Sequence, residues 1–85
     1  MLAARASSTE MQFIVYIRLL DEGTTVFRPV PAVRVSDTEC VLQGEDIFDA
    51  NSESWEFLPG TRVRYELKRI DDALLPVGVG LAGAR

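Results

Sequence analysis

Cys40 is the only cysteine in the chain and histidine is absent, so the usual nucleophile arrangements have no base. Neither a Cys-His pair nor a Ser-His-Asp triad can be built, and Cys40 reads as a small apolar packing residue. Asp46, Asp49, Asn51 and Glu53 offer hard oxygen ligands of the kind calcium or magnesium takes. An EF-hand loop begun at Asp49, however, would put Ser54 where the turn glycine belongs and Gly60 where the bidentate glutamate belongs. These residues read instead as a solvated acidic loop. Gly78-Val79-Gly80-Leu81-Ala82-Gly83 spells the dinucleotide-binding string, but that fingerprint works through a helix after the glycines, and only Ala84 and Arg85 follow. Chance is the expected reading. Trp55, Phe57 and Tyr65 beside Arg62, Arg64 and Lys68 could form a platform for single-stranded nucleic acid, with aromatic faces for bases and cations for phosphates. Phase separates the two sets: on an alternating strand the basic residues and Tyr65 project to opposite faces. Lys68 lies on the exposed face and the acids sit mostly in turns, so a lysine or carboxylate-pair enzyme is not expected either. No catalytic, cofactor or metal residue is assigned, and the chain reads as a non-enzyme.

The elements that position these residues are short strands. Gln12 to Leu19 alternates Phe13, Val15, Ile17 and Leu19 against Ile14 and Tyr16, so both faces are partly apolar, as in a strand of a small closed barrel. Asp21-Glu22-Gly23-Thr24 supplies a loop. Thr25 to Ser36 is the second strand, Asp37-Thr38 a turn, and Glu39 to Gln43 the third strand. Gly44 to Ser54 is irregular, with Ile47-Phe48 expected to pin one helical turn to the core. Trp55 and Phe57 re-enter the sheet. Pro59 presets the φ of a turn's first central residue and Gly60 takes the positive φ that a type II turn needs at the second. Thr61 to Ile70 follows as the fourth strand, with Val63, Tyr65 and Leu67 on one face and Arg62, Arg64, Glu66 and Lys68 on the other. Asp71-Asp72 turns the chain again, Leu74 to Val79 is a last strand, and Leu81 to Arg85 is expected to fray. Trp55, Phe57, Val63, Tyr65 and Leu67 are all expected inside. Five short strands with turns every eight to twelve residues predict an all-β fold, a small five-stranded SH3-like barrel, with a small β-sandwich as the alternative.

Eighty-five residues make one domain with one core. The expected division is a disordered extension at 1–10, rich in Ala, Ser and Thr, a barrel at 11–80, and the tail at 81–85. Met11 is a candidate natural start. The net charge of −4 opposes duplex binding by whole-surface attraction to phosphate. Charge is nevertheless segregated. Gly44 to Glu56 holds Glu45, Asp46, Asp49, Glu53 and Glu56 with no basic residue, whereas Phe57 to Ile70 sets Arg62, Arg64, Lys68 and Arg69 against Glu66 alone. With a lone cysteine no internal disulfide forms, so a reducing cytoplasm is the expected compartment. The apolar run Phe13 to Leu20 is too short to span a bilayer and carries Arg18.

Pro29 and Pro31 stand two apart, so two successive N–H donors are missing from the same side of one strand. That side cannot be fully paired, and an edge or bend is expected there. Arg28 lies in phase with Val30 and Ala32. If that face is inward the guanidinium needs a carboxylate, with Glu66 and Glu56 as the expected partners. Arg28, Pro29, Val30 and Pro31 form the candidate partner-binding edge, with Arg62 and Arg64 as further candidates. For a protein partner the mechanism expected at that edge is strand addition; the alternative reading is that the two prolines serve only to block unwanted pairing. Leu74 to Leu81 is the candidate homodimer segment.

Glu22-Gly23-Thr24-Thr25-Val26-Phe27-Arg28-Pro29-Val30-Pro31-Ala32, followed by Trp55-Glu56-Phe57-Leu58-Pro59-Gly60-Thr61-Arg62-Val63-Arg64-Tyr65-Glu66, resembles a family of small uncharacterised bacterial proteins. Its pattern is E-G-T-x-V-W-R-P-V-x-A, then W-E-F-x-P-G-x-x-V-x-C-E. The likeness spans roughly Tyr16 to Lys68. It implies a compact, SH3-like β-fold and bacterial origin, and it brings no activity with it. Phe27 stands where the family has Trp and Tyr65 where it has Cys, which removes any implied thiol chemistry. The resulting expectation is a protein-interaction module without a cofactor. An immunity-type inhibitor of a basic toxin, or a weak single-stranded nucleic-acid binder, is the alternative.

Overall fold

The computed structural model describes residues 12–83. The first expected segment, 1–10, lies outside them, as do Met11, Ala84 and Arg85. Six strands follow in order: β1 (Gln12–Leu20), β2 (Phe27–Arg34), β3 (Glu39–Leu42), β4 (Ser54–Trp55), β5 (Arg62–Ile70) and β6 (Ala73–Leu81). β1, β2, β3, β5 and β6 pair successively antiparallel, and β6 returns to β1. The result is a five-stranded all-β barrel. Four antiparallel steps, an even number, leave the first and last of the five strands pointing the same way, and the closing pair, Tyr16 with Val77, is indeed parallel.

That closure is one bridge long because β4 takes the same side of β1 immediately beyond it. Leu19 and Leu20 pair with Trp55 and Ser54, and Glu56 N–H donates to the Arg18 carbonyl at 2.9 Å. β4 thus fills the gap where β6 diverges. The alternation of β1 sends Val15, Ile17 and Leu19 inward, where they meet Val30, Ala32, Cys40, Leu42, Trp55 and Val63 in one core. Phe48 joins this core through an edge contact with Trp55, ring centroids 4.9 Å apart. The expected helical turn is a single hydrogen-bonded turn, with Ile47 and Phe48 N–H groups both donating to the Gly44 carbonyl. Phe48 packs inward and Ile47 stays exposed.

Both expected tight turns are present. Thr61 N–H donates to the Leu58 carbonyl at 3.1 Å across Pro59-Gly60, with Gly60 at φ +89°. Asp71 and Asp72 stand at φ +50° and +70°, the positive pair that a two-residue type I′ hairpin requires. Three expectations fail. Trp55 enters the sheet but Phe57 does not, because β4 ends at Trp55. Leu67, expected inside, is 64% exposed, because β5 outruns the barrel: along one phase Val63 is fully buried, Tyr65 partly buried and Leu67 in solvent. Leu81, expected to fray, pairs with Val63, and the next residue, Ala82, donates its N–H to the Arg62 carbonyl. Among the described residues no helix is long and apolar enough to cross a membrane.

Candidate functional site

The four residues of the expected β2 edge divide between core and rim. Val30 is fully buried against β1 and offers nothing to a partner, which removes it from the candidate surface. Its burial follows from the alternation that also buries Ala32. Leu19 N–H donates to the Val26 carbonyl, and Gln43 N–H donates to the Pro31 carbonyl. The even-numbered residues of this segment therefore turn their polar groups to β1, and Pro29 and Pro31 turn theirs away from it. β3 pairs only with Ala32 to Arg34, so the stretch before Pro31 is an edge, as expected. On that edge the prolines remove the donors, leaving the carbonyls and the N–H of Phe27. Strand addition there would meet acceptors with almost no donors, which makes it a poor template.

Arg28 forms the expected ion pair, but with neither expected glutamate. Its Nη1 donates to Glu53 Oε2 at 3.4 Å, and its Nε lies 3.2 Å from Oε1 without hydrogen-bond alignment. Oε1 already accepts from the Trp55 indole N–H at 2.9 Å. Glu53 therefore joins the second strand to β4, a long-range link that spacing along the chain does not disclose. Asp49 is likewise occupied: its carboxylate accepts from the Asn51 N–H and the Ser52 hydroxyl. The acidic segment is a capped turn rather than a set of converging ligands. Arg62 donates through both Nε and Nη2 to Glu39 Oε1, at 3.0 and 2.7 Å. Arg64 lies exposed across β6, where a Cβ on Gly80 would come within 3.4 Å of its guanidinium. Trp55 is buried and Tyr65 packs on Phe13 with ring centroids 5.0 Å apart, so the aromatics serve the interior and do not gather beside the cations. Gly78 and Gly80 lie within β6, not in a loop before a helix.

No family model matches the chain, and no curated protein or solved structure matches it.

What the barrel does present is a hairpin arm. β5 and β6 pair from Val63–Leu81 to Ile70–Ala73, and beyond Tyr65 no other strand pairs with β5 among the described residues. A register shift between Arg64 and Tyr65 leaves Val79 without a partner in the ladder, the kind of bulge that bends and twists a strand as it leaves a barrel. On one face of the arm Leu67 stands opposite Pro76, and Arg69 opposite Leu74. Leu67 is 64% and Leu74 59% exposed. On the other face Ile70, Ala73 and Leu75 line an open pocket of about 380 Å³ with Tyr16, Thr25, Phe27 and Asp71. The homodimer segment Leu74 to Leu81 is not one continuous surface, because Val77 and Gly78 are buried within it. Its outermost leucine, Leu74, belongs to the arm. The sequence signal that could have found this arm is the pair of long, evenly matched strands around Asp71-Asp72, carrying more residues than a small barrel wall needs.

Proposed function

We propose that this chain is a non-enzymatic β-barrel that binds another protein, and that the β5–β6 arm is its contact element. The observation that carries the reading is the exposure of Leu67 and Leu74 on one face of a hairpin that leaves the barrel. Exposed leucines clustered on a projecting element lose apolar hydration only when something covers them. Arg69, between them on that face, adds a cation to the apolar pair. The likeness to a small bacterial family supports a compact module of this kind, and a cytoplasmic protein partner fits the lone buried thiol.

The test is retention of a partner from extracts of the source organism by wild type and by the double variant L67S/L74S. Both side chains are exposed, so the variant should keep its melting temperature within a few degrees. The reading requires a stoichiometric partner on wild type that is absent on the variant. Equal retention by both, or none by either, refutes it. A toxin-capping role would instead retain a basic partner through the exposed acidic residues Glu45 and Asp46 of the 44–56 segment, unaffected by the leucine changes. Sedimentation showing monomers at micromolar concentration would assign the arm to a foreign partner rather than to a second copy.

A further inference from the structure

The arm has an open side as well as two faces. Tyr65 N–H donates to the Thr38 carbonyl at 2.8 Å, and Leu42 N–H donates to the Thr61 carbonyl. Thr61, Val63 and Tyr65 therefore turn their backbone groups toward β3. Ala82 N–H donates to the Arg62 carbonyl, so the alternate residues face β6. Strand alternation carries this pattern outward: Glu66, Lys68 and Ile70 bond across the hairpin, and Leu67 and Arg69 direct their N–H and C=O groups to the side where β3 has ended. Among the described residues no backbone group pairs with them. Unlike the β2 edge, this one contains no proline, so it keeps two donors and two acceptors.

Its side chains specify what can lie alongside. Residues opposite one another on neighbouring strands share a face and interact directly. A strand added here would place one residue opposite Leu67, the next opposite Lys68 and the next opposite Arg69. We infer that the edge of β5 at Leu67 to Arg69 accepts an extended acidic peptide segment, which pairs antiparallel and sets two carboxylates against Lys68 and Arg69 and an apolar residue against Leu67. This rests on the protein-binding reading above and names the chemistry of the partner segment. A second copy of this chain is disfavoured as occupant, because two-fold pairing centred on this stretch brings Lys68 against Lys68, and like charges directly opposite are destabilising. The antiparallel sense continues that of β3 on the same side.

The test uses the whole protein and the capped peptide Thr-Glu-Asp-Leu-Val-Thr as probe, followed by backbone amide shifts and hydrogen exchange. The Leu67 and Arg69 amides should shift and become protected on titration, while the Lys68 amide, already bonded across the hairpin, changes little. The double charge reversal K68E/R69E should weaken binding about tenfold, and a probe with Lys in place of both acids should bind wild type about tenfold more weakly. Leu67→Pro should abolish binding while leaving the hairpin ladder intact, because that N–H faces away from β6. If Leu67→Pro does not fold, the wild-type amide measurements decide the matter. No change at these two amides with millimolar probe, equal binding of the lysine probe, or protection that grows with protein concentration in the absence of probe would overturn the inference. Partner loss in L67S/L74S without any of the edge effects would leave the arm as a contact element and reject the strand-addition mechanism alone.

Discussion

Gly78 sits where the hairpin arm leaves the barrel, and replacing it by alanine tests the packing there in one atom. A Cβ at this position would stand 2.8 Å from Ile17 Cδ1 and 3.6 Å from the Phe57 ring. Ordinary carbon contacts begin near 3.5–4.0 Å, so Ile17 must retreat by a large fraction of an ångström. It has little room to do so, being fully buried among Val15, Val30 and Val63. Overpacking of this sort costs roughly 1–3 kcal/mol. The loss of glycine's freedom in the unfolded chain offsets about 0.4–1 kcal/mol of that, for a net destabilisation of about 1–2 kcal/mol. In a domain of this size each kcal/mol lowers the melting temperature by about 4–8 °C. Gly78→Ala should therefore melt about 5–15 °C below wild type, read by circular dichroism and by fluorescence of Trp55, the only tryptophan. Ile17→Val removes the clashing methyl at a cost of about 0.5–1.5 kcal/mol on its own. The double variant should then be more stable than the sum of the two single effects by about 1 kcal/mol. A wild-type melting temperature for Gly78→Ala, or strict additivity in the double variant, would refute this packing argument.

Other consequences follow from the same core. Glu53→Ala removes the carboxylate shared by Arg28 and the Trp55 indole. Both ion-pair side chains are partly solvated, which discounts the loss; about 1–2 kcal/mol in chemical denaturation is expected, together with altered Trp55 emission. Equal stability would show the bridge to be incidental. Burial raises the Cys40 thiol to about 11 from its ordinary 9.0. The raised group contributes stability that is fully present below pH 9 and lost as pH climbs from about 9 to 11, because the unfolded chain ionises first. The loss approaches roughly 2–3 kcal/mol at its upper end. Denaturation of Cys40→Ser beside wild type across that window checks it: the wild-type curve should fall more steeply with pH, and parallel curves would reject the assignment.

Turns and alternation were legible in the sequence because they are local. Pro59-Gly60 and Asp71-Asp72 needed only the φ preferences of their own residues, and the phase of β5 needed only side-chain alternation. The place where the barrel stops was not local. Val63, Tyr65 and Leu67 share one phase, and nothing in that phase marks the point at which opposing strands end and solvent begins. Leu67 was misplaced for that reason. The partner of Arg28 was missed on similar grounds: Glu53 reaches it only because β4 docks on Leu19 and Leu20, a pairing two residues long with no pattern of its own. The candidate partner edge was recognised as an edge from Pro29 and Pro31, but the side to which those prolines turn depends on the register with β1.

Among the described residues, the open edges of β2 and of the arm have opposite characters. An exposed strand edge recruits other strands indiscriminately unless something limits it, and proline and charge are the two commonest limits. β2 uses proline, which removes the donors of Pro29 and Pro31 outright and makes the edge a poor template for any added strand. The arm uses Lys68 and Arg69, which leave the backbone groups of Leu67 and Arg69 intact and exclude only strands that bring positive charge or nothing to meet it. Proline closes an edge, whereas charge filters it. A chain that needed only protection from aggregation would gain more from proline in both places, so the charged, donor-bearing edge on the arm is where selective recognition has a physical basis.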